Sequence, residues 1–167
     1  KKYDVRLVGN IGRSPLEEKK IKKQTIFIIE ASSYQISYSK FFKTDYAAIL
    51  NLSPDHLERH GNINQYANAK LKLIYEQDRN KLAYIEKKNT IINKHIVKKK
   101  IRSKLYKLNY NKEPFFKKNI KNLYLIDKNN LNNIHFAYSI CKKFKISDKK
   151  IFNSLNKFKG LKFRNQI

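Results

Sequence analysis

The sequence predicts an α/β protein with a mostly parallel sheet flanked by helices. Three observations predict it. Short apolar runs recur along the chain and lack the strict alternation of a half-exposed strand, as strands covered on both faces do. Amphipathic helical stretches fall between or after them, and strands alternating with helices imply a parallel core. The 167 residues are 41% hydrophobic and include 10 Phe and 11 Tyr. That suffices for one domain with a real core, or at most two small ones, and excludes wholesale disorder.

The strands are predicted at Val5–Val8, Thr25–Ile29, Ala47–Leu50, Leu82–Ile85, Thr90–Ile92, Lys104–Leu108 and Leu123–Ile126. A helix over Ile63–Tyr75 sets Ala67, Leu71 and Ile74 on one stripe, and one over Leu131–Phe144 does the same for Ile134, Ala137, Tyr138 and Cys141. Ser147 or Asp148 caps a last helix running to about Phe158, and Gly160 suits its termination. The lysine-rich stretch from Lys87 to Lys118 reads as a small β-rich excursion or a mobile surface segment. There is no internal repeat and no Gly/Ser/Pro linker.

Composition narrows the function classes. The lone cysteine, Cys141, excludes an internal disulfide and sits in a helical apolar pattern, as plain core does. No apolar run reaches the roughly 18 residues of a membrane span, and the start lacks the apolar segment of a signal peptide, so a cytoplasmic protein is expected. The net charge of +25 and the pI near 10.1 raise nucleic-acid binding. Only 6 of the 38 cations are arginine, however, and the chain carries 19 Asn and 21 Ile. Lys, Asn, Ile and Tyr share A/T-rich codons, so base composition accounts for the mixture, while the residue best suited to bidentate phosphate contacts is scarce.

Three segments carry possible chemistry. In Ile26-Phe27-Ile28-Ile29-Glu30-Ala31-Ser32-Ser33-Tyr34-Gln35 an apolar strand ends in a carboxylate and two hydroxyls. Ligands of open α/β sheets bind beyond the carboxyl ends of strands, which places Glu30 to meet a cation and Ser32 and Ser33 to meet phosphate oxygens. The same residues also read as an ordinary strand end with a serine cap. In Asn51-Leu52-Ser53-Pro54-Asp55-His56-Leu57-Glu58-Arg59-His60 a second strand end presents a carboxylate beside an imidazole, or simply a turn that opens a helix. His60 reads as a surface or loop residue. In Tyr66-Ala67-Asn68-Ala69-Lys70, Lys70 lies one turn after Tyr66 on a helix face, one lysine among many.

In this order and spacing, the strings resemble the central domain of the Mur ligases, the ATP-dependent amide-forming enzymes of peptidoglycan precursor synthesis. Val8-Gly9-Asn10-Ile11-Gly12 and the Ser-Ser-aromatic-Gln run resemble the D-glutamate-adding branch. Asn129-Asn130-Leu131-Asn132-Asn133 resembles a His-Asn-x-x-Asn string that opens a helix. Gly160-Leu161-Lys162-Phe163-Arg164 resembles a Gly-Leu-Pro-His-Arg string. Asp127, Asn129 and Phe163 depart from the family's residues at their positions.

The resemblance implies ATP and two magnesium sites, with UDP-N-acetylmuramoyl-L-alanine and D-glutamate as substrates. It implies no nucleic acid, no membrane and a monomeric complete enzyme. It assigns Glu30 and His56 to magnesium and Lys70 to a carbamylated, carboxylate-like support. Asn10 and Ser32 fall on substrate contacts, with Ser33, Gln35 and Asp55 as further substrate-side groups, and Asn130, Asn133 and Arg164 on ATP contacts. The family's Gly-Lys-Ser/Thr phosphate loop does not occur in these residues and lies upstream in the family. Residues 1–160 are therefore expected to be a central domain without that loop, inactive alone, and 161–167 the start of a link to a further domain. A folylpolyglutamate synthase-like ligase and a basic nucleic-acid-binding module are the alternatives.

Overall fold

The computed structural model describes residues 3–109 and 113–160. Strands β1 (Asp4–Gly9) and β2 (Thr25–Glu30) pair in parallel, in register from Asp4 opposite Thr25 to Gly9 opposite Glu30. Strands β3 (Tyr46–Ile49), β4 (Leu82–Glu86) and β5 (Lys104–Leu108) form a second parallel sheet in that order. Helices α1 (Ser33–Tyr38), α2 (Leu57–His60), α3 (Ile63–Tyr75) and α4 (Thr90–Ile96) lie in the connections among β2 to β5. Helices α5 (Glu113–Asn119), α6 (Lys128–Lys143) and α7 (Asp148–Asn156) follow. Every described strand pair is parallel, as the alternation of apolar runs and helices implied.

The main core lies where α3 and α4 cover one face of the second sheet. Ala47, Ile49, Ala83 and Ile85 from the strands meet Leu71 and Ile74 from α3 and Ile92 and Ile96 from α4, all buried. Leu71 and Ile74 are fully buried, and each such side chain contributes about 1.5–3 kcal/mol of transfer free energy. On the other face Tyr84 stacks on Tyr106 with ring centroids 5.1 Å apart, and Lys143 at the end of α6 donates to the Tyr106 hydroxyl at 3.0 Å. The Tyr84 hydroxyl is buried with no hydrogen-bond partner among the described residues. Desolvation pushes its phenol up to about 12, whereas the Lys143 contact holds Tyr106 below the usual tyrosine value. A separate helical cluster joins α5, α6 and α7 through Phe116, Leu131, Ile134, Tyr138 and Phe152.

The β1–β2 pair is held differently. Arg6 donates to Glu18 and to the Lys19 carbonyl, both at 2.7 Å, and to Asp4 at 3.1 Å, while Thr25 donates to Asp4 at 2.7 Å. Gly9 has φ +104°, and a Cβ there would overlap the Glu30 carbonyl oxygen. Only glycine lets the two strands finish side by side in this way.

Several elements differ from the sequence expectation. Thr90–Ile92 opens α4 instead of forming a strand, because Asn89 caps it by accepting from the Ile92 N–H at 3.0 Å, and Ile92, His95 and Ile96 then turn inward at helical spacing. Leu123–Leu125 is a 3₁₀ turn capped by Asn122, with Leu125 buried and Leu123 exposed. The described part of the lysine-rich stretch contains α4, β5 and α5 rather than a β-rich excursion. Helix α6 starts three residues earlier than expected, where Asp127 accepts from the Asn129 and Asn130 N–H groups. Ala137 is exposed and His135 and Phe136 are buried, so the inward stripe is rotated. Ser147 occupies the cap position of α7 without a side-chain cap bond, and the helix ends at Asn156. Cys141 is half-buried against the helical cluster, and burial raises its thiol above the ordinary value.

Candidate functional site at the strand carboxyl ends

Three strands deliver polar groups beyond their carboxyl ends. After β1 comes Asn10, exposed, with its N–H donating to the Glu30 carbonyl at 2.9 Å. At the end of β2 the Glu30 side chain is exposed. After β3 the chain runs through Asp55 and His56 into α2. Edge-to-edge pairing of β1 with β2 thus sets Asn10 beside Glu30 through the backbone.

The Ser-Ser-Tyr-Gln run splits its residues between two jobs. Ser32 is the cap of α1: its Oγ accepts from the Gln35 N–H at 3.2 Å, and the Gln35 Oε1 accepts the Ser32 N–H at 2.9 Å. This reciprocal capping box satisfies two helix-end donors. Ser33 points the other way and is 2% exposed. Its Oγ shares a 3.0 Å hydrogen bond with Nε2 of His60. Ser33 is therefore turned away from solvent, unlike the phosphate-facing position expected for it.

His56 has φ +52° and ψ +34°, left-handed for a residue with a Cβ, a conformation that costs about 1–2 kcal/mol. Asp55 accepts the His56 N–H at 2.9 Å, and its other oxygen lies 3.4 Å from Nε2. Glu58 lies 3.8 Å from Nδ1. The Tyr34 ring neighbours two imidazoles, its centroid 5.3 Å from that of His56 and 5.2 Å from that of His60, with the His60 ring parallel to it. Arg59 reaches over Tyr34 and donates to the Tyr38 hydroxyl at 2.6 Å. Desolvation raises the Tyr34 phenol above its ordinary value, and the Glu58 carboxylate acts in the same direction. Tyr34, Glu58 and Arg59 line an open cleft of 520 Å³.

Lys70 is brought to this cluster by α3. Its Nζ lies 5.1 Å from the Tyr66 ring centroid, one turn back as its spacing implied, and the Tyr66 ring meets that of His56 edge-on at 6.5 Å. One tyrosine therefore neighbours both His56 and Lys70. The carboxylates suit a hard divalent cation, and a neutral imidazole can add a nitrogen ligand to one. Among the described residues no three His, Cys, Asp or Glu side chains form a ready-made cluster.

The third group of expected contacts stands apart. Asn130 donates from Nδ2 to the Tyr124 carbonyl at 2.7 Å, tying the start of α6 to the preceding turn, and Asn133 is exposed one turn on. Among the described residues, neither forms a hydrogen bond or ring contact with the strand-end groups. Arg164 and the rest of 161–167 lie outside the described residues. Sequence reasoning missed His60, Tyr34 and Tyr66 as members of the site. The signal was present: His56 and His60 are four apart, and the His60 N–H does donate to the His56 carbonyl at 3.1 Å.

Parallel strands joined through helices, with polar groups past three strand ends, make an α/β domain of the kind that binds ligands beyond its strand carboxyl ends. The model of the Mur ligase middle domain matches residues 13–155, and the chain belongs to the Mur ligase family. It is 36% identical to a UDP-N-acetylmuramoylalanine--D-glutamate ligase of Buchnera aphidicola subsp. Schizaphis graminum over 177 aligned positions, covering 98% of this chain and 40% of that protein. Ligases of the same name from Elusimicrobium minutum and Bartonella henselae are 41% and 43% identical over 59% and 43% of the chain, or 22% and 16% of theirs. The chain thus spans less than half the length of these curated relatives. No helix among the described residues is long and apolar enough to cross a membrane.

Proposed function

We propose that this chain supplies the ATP-binding middle domain of a cytoplasmic ligase that joins D-glutamate to UDP-N-acetylmuramoyl-L-alanine. Residues 1–160 belong to that domain and 161–167 to a connection beyond it. In the reaction an oxygen of the substrate carboxylate attacks the γ-phosphorus of ATP, and ADP leaves. The amine nitrogen then attacks the acyl carbon of the acyl phosphate, phosphate leaves with the bonding pair, and the nitrogen loses a proton. Bound magnesium supplies positive charge against the transferring phosphoryl group. Glu30 is the residue that would hold one magnesium and His56 the one that would hold a second.

Lys70 completes an oxygen donor set only as a carbamate, which converts an ammonium into an anionic ligand. The place of its Nζ, 5.1 Å from the centroid of the Tyr66 ring that also neighbours His56, supports that role. Asn10 and Ser32 bind the nucleotide-sugar substrate, with Gln35 and Ser33 supporting the Ser32 loop. A substrate diphosphate oxygen would draw the Ser32 hydroxyl proton from Gln35 Oε1, 3.3 Å away, and leave the backbone half of the capping box intact. Asn130, Asn133 and Arg164 contact the nucleotide.

The observation that carries this reading is the meeting of His56 and Lys70 at the Tyr66 ring, two residues 14 positions apart by number that the family motifs single out separately. The test is phosphate release by the complete protein that carries this chain, given ATP, UDP-N-acetylmuramoyl-L-alanine and D-glutamate, beside a panel of folate acceptors. Lys70→Ala should reduce turnover by at least about 100-fold, the scale of losing one electrostatic stabiliser. Unchanged turnover sinks the role of Lys70, and turnover on folate acceptors alone sinks the substrate assignment.

A further inference from the structure

We propose that His60 is a positioning residue that fixes the side chain of His56 by acting through Ser33 and Tyr34. The proposal rests on the reading of His56 as a cation ligand. A buried hydroxyl needs a partner, and Ser33, 2% exposed, finds its partner in His60 at 3.0 Å. That bond links the turn after β2 to the helix after β3, 27 residues further on. It therefore joins the two loops that present Glu30 and His56.

The second link is aromatic. The His60 ring lies 3° from parallel to the Tyr34 ring, and Tyr34 also neighbours His56, its centroid 5.3 Å away. Tyr66 closes the group from α3, 5.3 Å from His60 and 6.5 Å from His56. A left-handed, non-glycine backbone persists where its surroundings over-determine it. At His56 the surroundings include the Asp55 carboxylate on its N–H and the Arg59 and His60 N–H groups on its carbonyl. His60 thus touches the His56 unit twice, by backbone and through Tyr34, while its own Nε2 is occupied by Ser33. Supporting contacts that orient a ligating imidazole are worth about 10- to 100-fold in metal affinity.

The experiment uses the complete protein that carries this chain, labelled with ¹³C at histidine. Without metal, the His56 ring signal reports its place beside Tyr34. His60→Ala should move and broaden it, and in a separate Mn²⁺ titration should weaken binding at least about tenfold. His60→Gln, whose amide can keep the bond to Ser33, should recover most of that loss. Ser33→Ala should reproduce it, and the double variant should be no worse than either single one, because the two residues act as one link. A stationary His56 signal in a folded His60→Ala protein, or additive losses in the double variant, would overturn the proposal. Should His60→Ala not fold, Ser33→Ala with both readouts decides in its place. If His56→Ala leaves Mn²⁺ affinity unchanged, the ligand role of His56 fails, and the metal-free signal still judges the positioning.

Discussion

The two sheets of this domain are built from similar apolar runs and stabilised in unlike ways. In β3–β4–β5 the inward residues meet α3 and α4 and are buried. In β1–β2 one face leaves Val5, Leu7 and Ile28 about half exposed, at 51%, 47% and 54%. What holds the pair is polar and conformational: the Arg6–Asp4–Glu18 group, the Thr25 hydroxyl and the close approach at Gly9. An apolar run therefore states that a strand forms. It does not state that the strand is covered.

The largest contrast should come from cutting into each apolar surface. Leu71→Ala removes a fully buried side chain from the covered sheet and should cost about 2–5 kcal/mol in chemical denaturation. A loss below about 1 kcal/mol would mean that α3 is not packed as described. Gly9→Ala comes next. The added methyl group and the positive φ act together, so the loss should exceed about 1 kcal/mol, and amide exchange should quicken selectively in β1 and β2.

A pH titration separates the sheets more gently. The hydrogen bond from Arg6, then that from Thr25, holds the Asp4 carboxyl below its ordinary 3.8. A depressed folded value means that this stabilisation is complete above 3.8 and is lost as pH falls through the folded value. Amide signals of Val5–Val8 should shift in that acid window before those of β4, and Asp4→Asn should abolish the difference. Simultaneous shifts in both sheets would show that Asp4 does not govern the pair. The smallest effect belongs to Leu7→Ser, an exposed position expected to stay within about 0.5 kcal/mol. A larger loss would reveal that the β1–β2 face is covered in solution.

Most of the strand pattern was legible because buried parallel strands advertise themselves by continuous apolar residues. The two failures, at Thr90–Ile92 and Leu123–Ile126, share a cause. Each apolar run follows an asparagine, Asn89 or Asn122, whose side chain captures a backbone N–H and starts a helical turn. In a chain with 19 asparagines such caps are hard to distinguish from background. The candidate site was legible to the level of which strand ends present its polar groups. The orientation of Ser33 and the place of His60 were not, because both depend on a hydrogen bond across 27 residues, which local pattern does not encode.

The Tyr84–Tyr106 stack gives this domain a built-in optical label. The chain contains no tryptophan, so tyrosine dominates its near-ultraviolet spectrum. Two stacked phenols displaced in opposite directions, Tyr106 downward and Tyr84 up to about 12, spread the alkaline absorbance change over a wide range. Among the 11 tyrosines, Tyr106 contributes to the early part of that change through its contact with Lys143 at the end of α6, and Tyr84 to the late part, where Tyr34, Tyr75 and Tyr138 are displaced upward as well.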